Sequence, residues 1–181
     1  HRLIYKGPFL YDQMVRIPGI FRVPEQFGGR NGRVIDDVDT VNVDIPATLA
    51  DFAGISLPAR DGMSLRGSLT GQSQKARAFV IGQYYGKQKW VNPIRMIRTR
   101  DWKFNRYIHY GEELYDLRND PGELRNLASD PGYQKQKQQL AGELEGWINE
   151  AGDPFPRQHP TTRQGAALTA GLRSYSSVSS S

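Results

Sequence analysis

Few side chains in this 181-residue sequence are equipped for chemistry. It contains no cysteine, which excludes a thiolate nucleophile, a disulfide framework and a zinc–thiolate site. The three histidines, His1, His109 and His159, stand far apart: one opens the chain, one ends an expected strand and one lies in a proline-rich turn. None forms an HxH or HExxH pair, so no histidine-based metal site is indicated. Acidic residues cluster at Asp36-Asp37-Asp39 and at Glu112-Glu113, yet neither cluster has the alternating ligands and glycine of a calcium loop, and both read as solvated loop charge. Lys6 is different. It precedes Gly7-Pro8 and the run Phe9-Leu10-Tyr11, and a lysine beside rigid backbone can set a compact positive charge against an anionic group. The residues alone leave that role open beside a simpler one, a surface lysine whose stem lies on apolar neighbours. A further cation-rich region joins Tyr84, Tyr85, Trp90 and Trp102 with Arg95, Arg98 and Arg100. Such a set could stack and pair with an anionic sugar, or its aromatics could be strand core.

Periodicity supplies the elements that hold these groups. Residues 15–23 are expected as one brief strand, confined by Pro18, Gly19 and Pro24, and residues 25–37 as a glycine-rich solvated loop. A helix is expected over 44–54, with Asp44 as N-cap, Pro46 in the first turn and Gly54 just past the end. Its residues Ile45, Leu49, Phe52 and Ala53 share one face, expected to pack on a sheet. After a linker-like stretch at 56–77 the period becomes strand-like. Four strands are expected at 78–85, 94–99, 102–110 and 113–117, and their short connections imply an antiparallel meander. A last helix opens at Asp130-Pro131, carries Tyr133, Lys137, Leu140, Leu144, Trp147 and Ile148 on one stripe, and stops at Gly152 and Pro154. One apolar stripe suits a helix that covers a single face of the meander. Beyond Pro160, nine Ser or Thr in 21 residues, with no acid, predict disorder.

Charge and hydropathy narrow the partners. The net charge is +5, but the stretch after Pro160 holds Arg163 and Arg173 without any acid, leaving 22 basic against 19 acidic residues before it. A nucleic-acid-binding face is not indicated, and no apolar run is long enough for a membrane span. The dense opening segment shows no signal peptide and suggests a piece of a longer protein, so it does not reveal the compartment.

Four segments, in order, resemble the C-terminal part of the type I, formylglycine-dependent sulfatases of the alkaline-phosphatase-like superfamily. The first is His1-Arg2-Leu3-Ile4-Tyr5-Lys6-Gly7 with Tyr11-Asp12-Gln13-Met14-Val15-Arg16-Ile17-Pro18, similar to the family's H-x-L-x-x-K-G and Y-E-E-x-x-R-V-P stretch. The second is Val41-Asn42-Val43-Asp44-Ile45-Pro46-Ala47-Thr48-Leu49 with Ala53-Gly54-Ile55, and the third is Asp61-Gly62-Met63-Ser64-Leu65. The fourth and most specific joins Ile97-Arg98-Thr99 and Trp102-Lys103-Phe104 to Glu113-Leu114-Tyr115-Asp116-Leu117-Arg118-Asn119-Asp120-Pro121-Gly122-Glu123 and Asn126-Leu127. Ser56-Leu57-Pro58-Ala59-Arg60 has the Ser-x-Pro-x-Arg form of the family's formylglycine site, but Leu65-Arg66 stand where that site continues with Thr-Gly, and the segment follows a helix instead of opening one. It is a chance recurrence.

The resemblance implies an α/β parent fold of which this chain is the C-terminal part. A strand and helix of the large sheet (1–77) would precede a small antiparallel four-stranded sheet covered by a helix (78–152) and a flexible tail (153–181). It implies that Lys6 contacts the sulfate of a sulfate ester, that His1 lies near the site in a positioning role, and that Asp12 and Arg16 fix the turn behind Lys6. The family's nucleophile, its calcium ion with Asp and Asn ligands, and its other catalytic histidines fall upstream of His1. The chain alone is therefore expected to be inactive, its partner being the missing N-terminal part. The alternatives are a segment of a phosphonate monoester or phosphodiester hydrolase, and a stand-alone module binding sulfated glycans through the aromatic and arginine set. A periplasmic or secreted location is favoured over a cytoplasmic one by the family's habit.

Overall fold

The computed structural model describes residues 7, 9–30, 32–36, 39–58, 62–72, 74–87, 90–108 and 110–155. The chain divides into two compact units, Ile17–Val80 and the remainder.

In the unit Ile17–Val80, a 3-10 turn at Glu25–Phe27 precedes two helices, α2 (Asp44–Phe52) and α3 (Arg66–Thr70). Gly54 takes φ +67, and the N–H groups of Gly54 and Ile55 return to the carbonyls of Asp51 and Ala50. This left-handed glycine cap ends α2 where the sequence placed it. The start differs by one residue. Val43 is the N-cap, and the Asp44 carboxylate instead accepts from the N–H groups of Val41 and Met63 and from both ends of the Arg77 guanidinium, at 2.7 and 2.9 Å. Thr48 adds a third tie: its hydroxyl donates to the Asp44 carbonyl and accepts from the Leu65 N–H.

The α2 stripe, expected to pack on a sheet, is left exposed in this chain. The helix turns Asp44, Ala47, Thr48 and Ala50 inward, while Ile45 is 43% and Leu49 64% exposed. The inner side is claimed by polar groups that Arg77 and the 62–65 backbone satisfy, which leaves the apolar stripe outside. The expected strand at 15–23 is also absent: Val15 ends α1 (Asp12–Val15), and the described residues from Arg16 to Pro24 form no strand. With prolines at both ends this stretch can only join a sheet edge supplied from elsewhere.

The second unit is a four-stranded sheet in the order β1 (Val80–Lys87), β2 (Trp90–Arg98), β3 (Trp102–Tyr107) and β4 (Glu112–Asp116), as the meander predicted. β2 and β3 pair antiparallel with Ile94 opposite Tyr107 and Arg98 opposite Lys103, and β3 pairs antiparallel with β4 with Lys103 opposite Tyr115. Gly111, at φ +83, closes the β3–β4 turn by accepting from the Tyr107 N–H. A 3-10 turn at Pro131–Tyr133, where the Asp130 carboxylate accepts from the Gly132 N–H, leads into α4 (Gln134–Glu150).

The sheet has two unlike faces because strand side chains alternate. One carries Arg95, Ile97, Trp102, Phe104, Arg106, Glu112 and Leu114. It is the α4 side, since Arg106 pairs with Glu145, Lys137 with Glu112, and Trp102 packs its ring on Tyr133. Leu140, Leu144 and Ile148 of α4 are buried with Ile97, Phe104 and Leu114. Gly152 caps α4 at φ +61 and turns the chain so that Asp153 reaches Arg95. The ordered unit thus runs on through Phe155, which is buried. Among the described residues no helix is long and apolar enough to cross a membrane.

Candidate functional site

The other face of the sheet presents Arg98, Lys103, Asn105, Tyr107, Glu113 and Tyr115 beside Ile94 and Met96. In an isolated meander such a polar row would be the wet side. Here residues 9–15 cover it. Leu10 joins Ile94, Met96 and Tyr107 in an apolar cluster with Val15 and Tyr84 against it, while the next residues enter a network of charges.

Lys103 is fully buried at the centre. Its ammonium donates to the Leu10 carbonyl at 3.1 Å, pairs with the Asp12 carboxylate, and lies 2.6 Å from Glu123 Oε1. Arg98 holds the same Asp12 carboxylate with two parallel contacts of 3.2 Å, one to each oxygen. Glu123 Oε2 accepts from the backbone N–H of Asp12 at 2.6 Å. Two cations thus face two carboxylates, and the backbone of residues 10–12 is gripped at one carbonyl, one N–H and one side chain. Beside this group Glu113 accepts from the Tyr107 hydroxyl at 2.8 Å, Asn105 Nδ2 at 3.0 Å and the Tyr11 hydroxyl at 3.3 Å. The Tyr11 ring meets Tyr115 edge-on.

The electrostatics follow from these partners. Burial pushes the Asp12 carboxyl up, but hydrogen bonds and charge from Arg98 and Lys103 outweigh it and hold the group below the ordinary aspartate value. Burial, and then the Glu113 carboxylate, push the hydroxyls of Tyr11, Tyr107 and Tyr115 upward, so all three remain neutral donors. Among the described residues the arrangement offers no nucleophile and no proton-transfer pair. What it can do is fix the path of the segment that begins immediately downstream of Lys6.

Lys6 and His1 themselves lie outside the described residues, as do His109, His159 and Arg60 of the Ser-x-Pro-x-Arg stretch. Asp12 is held by Arg98 and Lys103, and Arg16 adds a distant ion pair to it at 3.7 Å. Glu112 and Glu113 point to opposite faces of β4, one to Arg106 and Lys137 and the other to the tyrosines, so they cannot share a ligand. No group of three or more acids and histidines with metal-binding geometry occurs among the described residues, and calcium has no ligand set there.

The arginine and aromatic set does not assemble as a ligand surface. Arg95 is fully buried, bound through Nε and Nη2 to Asp153 at 2.8 Å and flanked by the Tyr85 and Phe155 rings at 4.4 and 4.8 Å. Arg98 is committed to Asp12, and Trp102 lies on the opposite face of the sheet from Arg98. Of the three arginines proposed for a sugar, only Arg100 is exposed. Conversely, sequence reasoning gave no role to Lys103, Glu113 or Glu123. The available signal was the row Lys103, Asn105, Tyr107 at period two, facing Arg98 and Glu113 across the strands.

By fold and pattern the chain falls in the class of sulfatase C-terminal regions. A family model described as N-sulphoglucosamine sulphohydrolase, C-terminal, matches residues 1–150. The chain is 35% identical over 160 residues to the Delta 4,5-hexuronate-2-O-sulfatase of Bacteroides thetaiotaomicron, an overlap that covers 86% of this chain and 33% of that protein. A crystal structure from the same organism superposes with a TM-score of 0.80 at 35% identity, over 86% of this chain and 34% of the other. The structure of a 2-O GAG sulfatase superposes with a TM-score of 0.59 at 37% identity, over 62% of this chain and 25% of the other. The chain belongs to the sulfatase family of the alkaline-phosphatase-like superfamily, in its C-terminal part, and spans about a third of the length of these relatives.

Proposed function

We propose that this chain is the C-terminal third of an enzyme that hydrolyses sulfate esters of an acidic sugar, and that it contributes Lys6 to the sulfate site. The observation that carries the reading is the family match, which begins at residue 1 and so includes the Lys6 segment. The substrate class rests on the first relative's name, a hexuronate sulfatase. In this reading the Lys6 ammonium lies against the sulfate and offsets the negative charge that grows on its oxygens and on the leaving oxygen as the S–O bond breaks. His1 sits beside it and helps to orient the ester. The nucleophile, a formylglycine, and the calcium ligands belong to the N-terminal part of the same protein. Calcium supplies Lewis-acid charge there, and no step of the chemistry passes through the described residues of this chain. The 181 residues alone are inactive.

The exposed stripe of α2 supports the same partner. Of the twelve large apolar residues exposed among the described residues, nine lie between Ile17 and Ile55. Exposed apolar residues concentrated in one unit are expected where another part of the protein packs.

The test is turnover of an aryl sulfate and of a sulfated uronate by the intact protein, by its Lys6→Ala variant and by the 181-residue chain. Loss of a charge-stabilising cation is expected to lower kcat about 10²–10³-fold, and the short chain is expected to give no turnover. Faster cleavage of a phosphonate monoester than of any sulfate ester would transfer the chain to that branch of the superfamily, and turnover by the 181 residues alone would refute the assignment.

A further inference from the structure

We infer that Glu123 and Lys103 are positioning residues that set where Lys6 stands, by clamping the backbone of residues 10–12 onto the polar face of the sheet. The inference rests on the Lys6 reading above.

Three observations carry it. Glu123 is fixed at φ +54, the left-handed region that glycine adopts at no steric cost, and among the described residues it is the non-glycine residue with positive φ. Its neighbour Gly122 shows that glycine is used in this same turn, so residue 123 accepts backbone strain in order to carry a side chain. That side chain is 1% exposed and ends in two contacts, Asp12 N–H at 2.6 Å and the Lys103 ammonium at 2.6 Å. Second, Lys103 reaches past the carboxylates to a backbone carbonyl, that of Leu10, at 3.1 Å. Both residues therefore hold main chain, not only each other. Third, burial of charge is a poor way to add stability, because apolar side chains of similar volume do as well or better. Fixing one backbone path is what a buried, hydrogen-bonded charge cluster does that an apolar contact would not. Leu10 stands four residues from Lys6, a span of at most about 14 Å of chain, so an anchor there bounds the lysine's position. The anchors come from sequence positions 91 to 111 residues away, from the part of the fold that otherwise holds no reacting group.

The test uses Glu123→Gly, which relieves the backbone strain while deleting the anchor, and Glu123→Gln, which keeps an acceptor at the same reach. Both are made in the intact protein, alone and with Lys6→Ala. Amide exchange across residues 9–16 is expected to rise at least about tenfold in Glu123→Gly, with α4 unchanged, and to return to within about threefold of wild type in Glu123→Gln. The kcat of Glu123→Gly is expected to fall about tenfold or more with KM little changed, the mark of an interaction made in the transition state. In the Lys6→Ala background the same change is expected to cost nothing further, because the two act as one unit. Unchanged exchange at 9–16 would overturn the clamp. Additive losses of kcat would overturn its action through Lys6. If Lys6→Ala alone left kcat intact, the Lys6 reading would fail and the inferred delivery with it, while the exchange result would still decide the clamp.

Discussion

The outward stripe of α2 gives a quantitative test of what the chain is built to pack against. Replacing Ile45 and Leu49 by Gln removes two apolar side chains whose surfaces are 43% and 64% exposed in this chain. Full burial of such a side chain is worth about 1.5–3 kcal/mol, so covering the fractions still exposed would add about 1.5–3 kcal/mol for the pair together. In the 181-residue chain these fractions already face water, so the double substitution forfeits there only the contacts of the parts already buried. It should also reduce self-association, since unpaired apolar surface promotes aggregation. In the intact protein, where the N-terminal part is proposed to cover the stripe, the same substitutions are expected to cost about 1.5–3 kcal/mol more than in the short chain. Urea unfolding of both proteins, with light scattering of the short chain, measures each quantity. An equal and large cost in both would mean the stripe is buried within the chain itself. No cost in either would mean that nothing covers α2, and the proposed packing partner would have to be placed elsewhere.

Two further expectations concern the sheet unit. Arg95→Met leaves Asp153 buried without its partner, and breaking a buried ion pair from one side costs about 3–5 kcal/mol; adding Asp153→Ala to remove the stranded charge should restore part of that loss in chemical denaturation. Acid should also destabilise this unit. Asp12 and Asp153 are both held below the ordinary aspartate value of 3.8 because Arg98 with Lys103, and Arg95, outweigh the effect of burial. A carboxylate depressed in the folded state contributes stability that is fully present above 3.8 and is lost as pH falls through the lower, folded value. Stability of the sheet unit should therefore be level above about pH 5 and fall below about pH 4, and Asp12→Asn should flatten the fall; a midpoint of unfolding unchanged between pH 5 and pH 2.5 would refute this.

How far the fold was legible depends on whether a feature needs only its own neighbours. The meander, α4 and the end of α2 were readable because each is specified locally, by period-two strands with short turns, by one apolar stripe after Asp130-Pro131, and by Gly54 at φ +67. The strand expected at 15–23 failed for the opposite reason: a strand forms only with a partner strand, and among the described residues none pairs with it. The apolar face of α2 meets no sheet in this chain for a related reason: periodicity reveals that a helix is two-sided without saying which side its own chain fills. Asp44 and Thr48 win the inner side because Arg77, Met63 and Leu65 satisfy their polar atoms, a compensation that spans 17 to 33 residues.

The candidate site was the least legible part, and the reason lies in how a polar strand face reads. Lys103, Asn105 and Tyr107 alternate with Trp102, Phe104 and Arg106, which is the pattern of any half-solvated strand. Only the return of residues 9–15 converts that face from surface to interior, and the return is fixed by ion pairs and a hydrogen bond between residues about ninety apart. Once it is covered, the charges need partners, and Lys103 and Arg98 find them in Asp12 and Glu123. Removing any one of the four leaves a buried charge without an equal, whereas the exposed pair Arg118–Asp101 can be broken at little cost because water replaces the partner. The four residues are therefore constrained as a set, and the constraint acts on the position of residues 10–12.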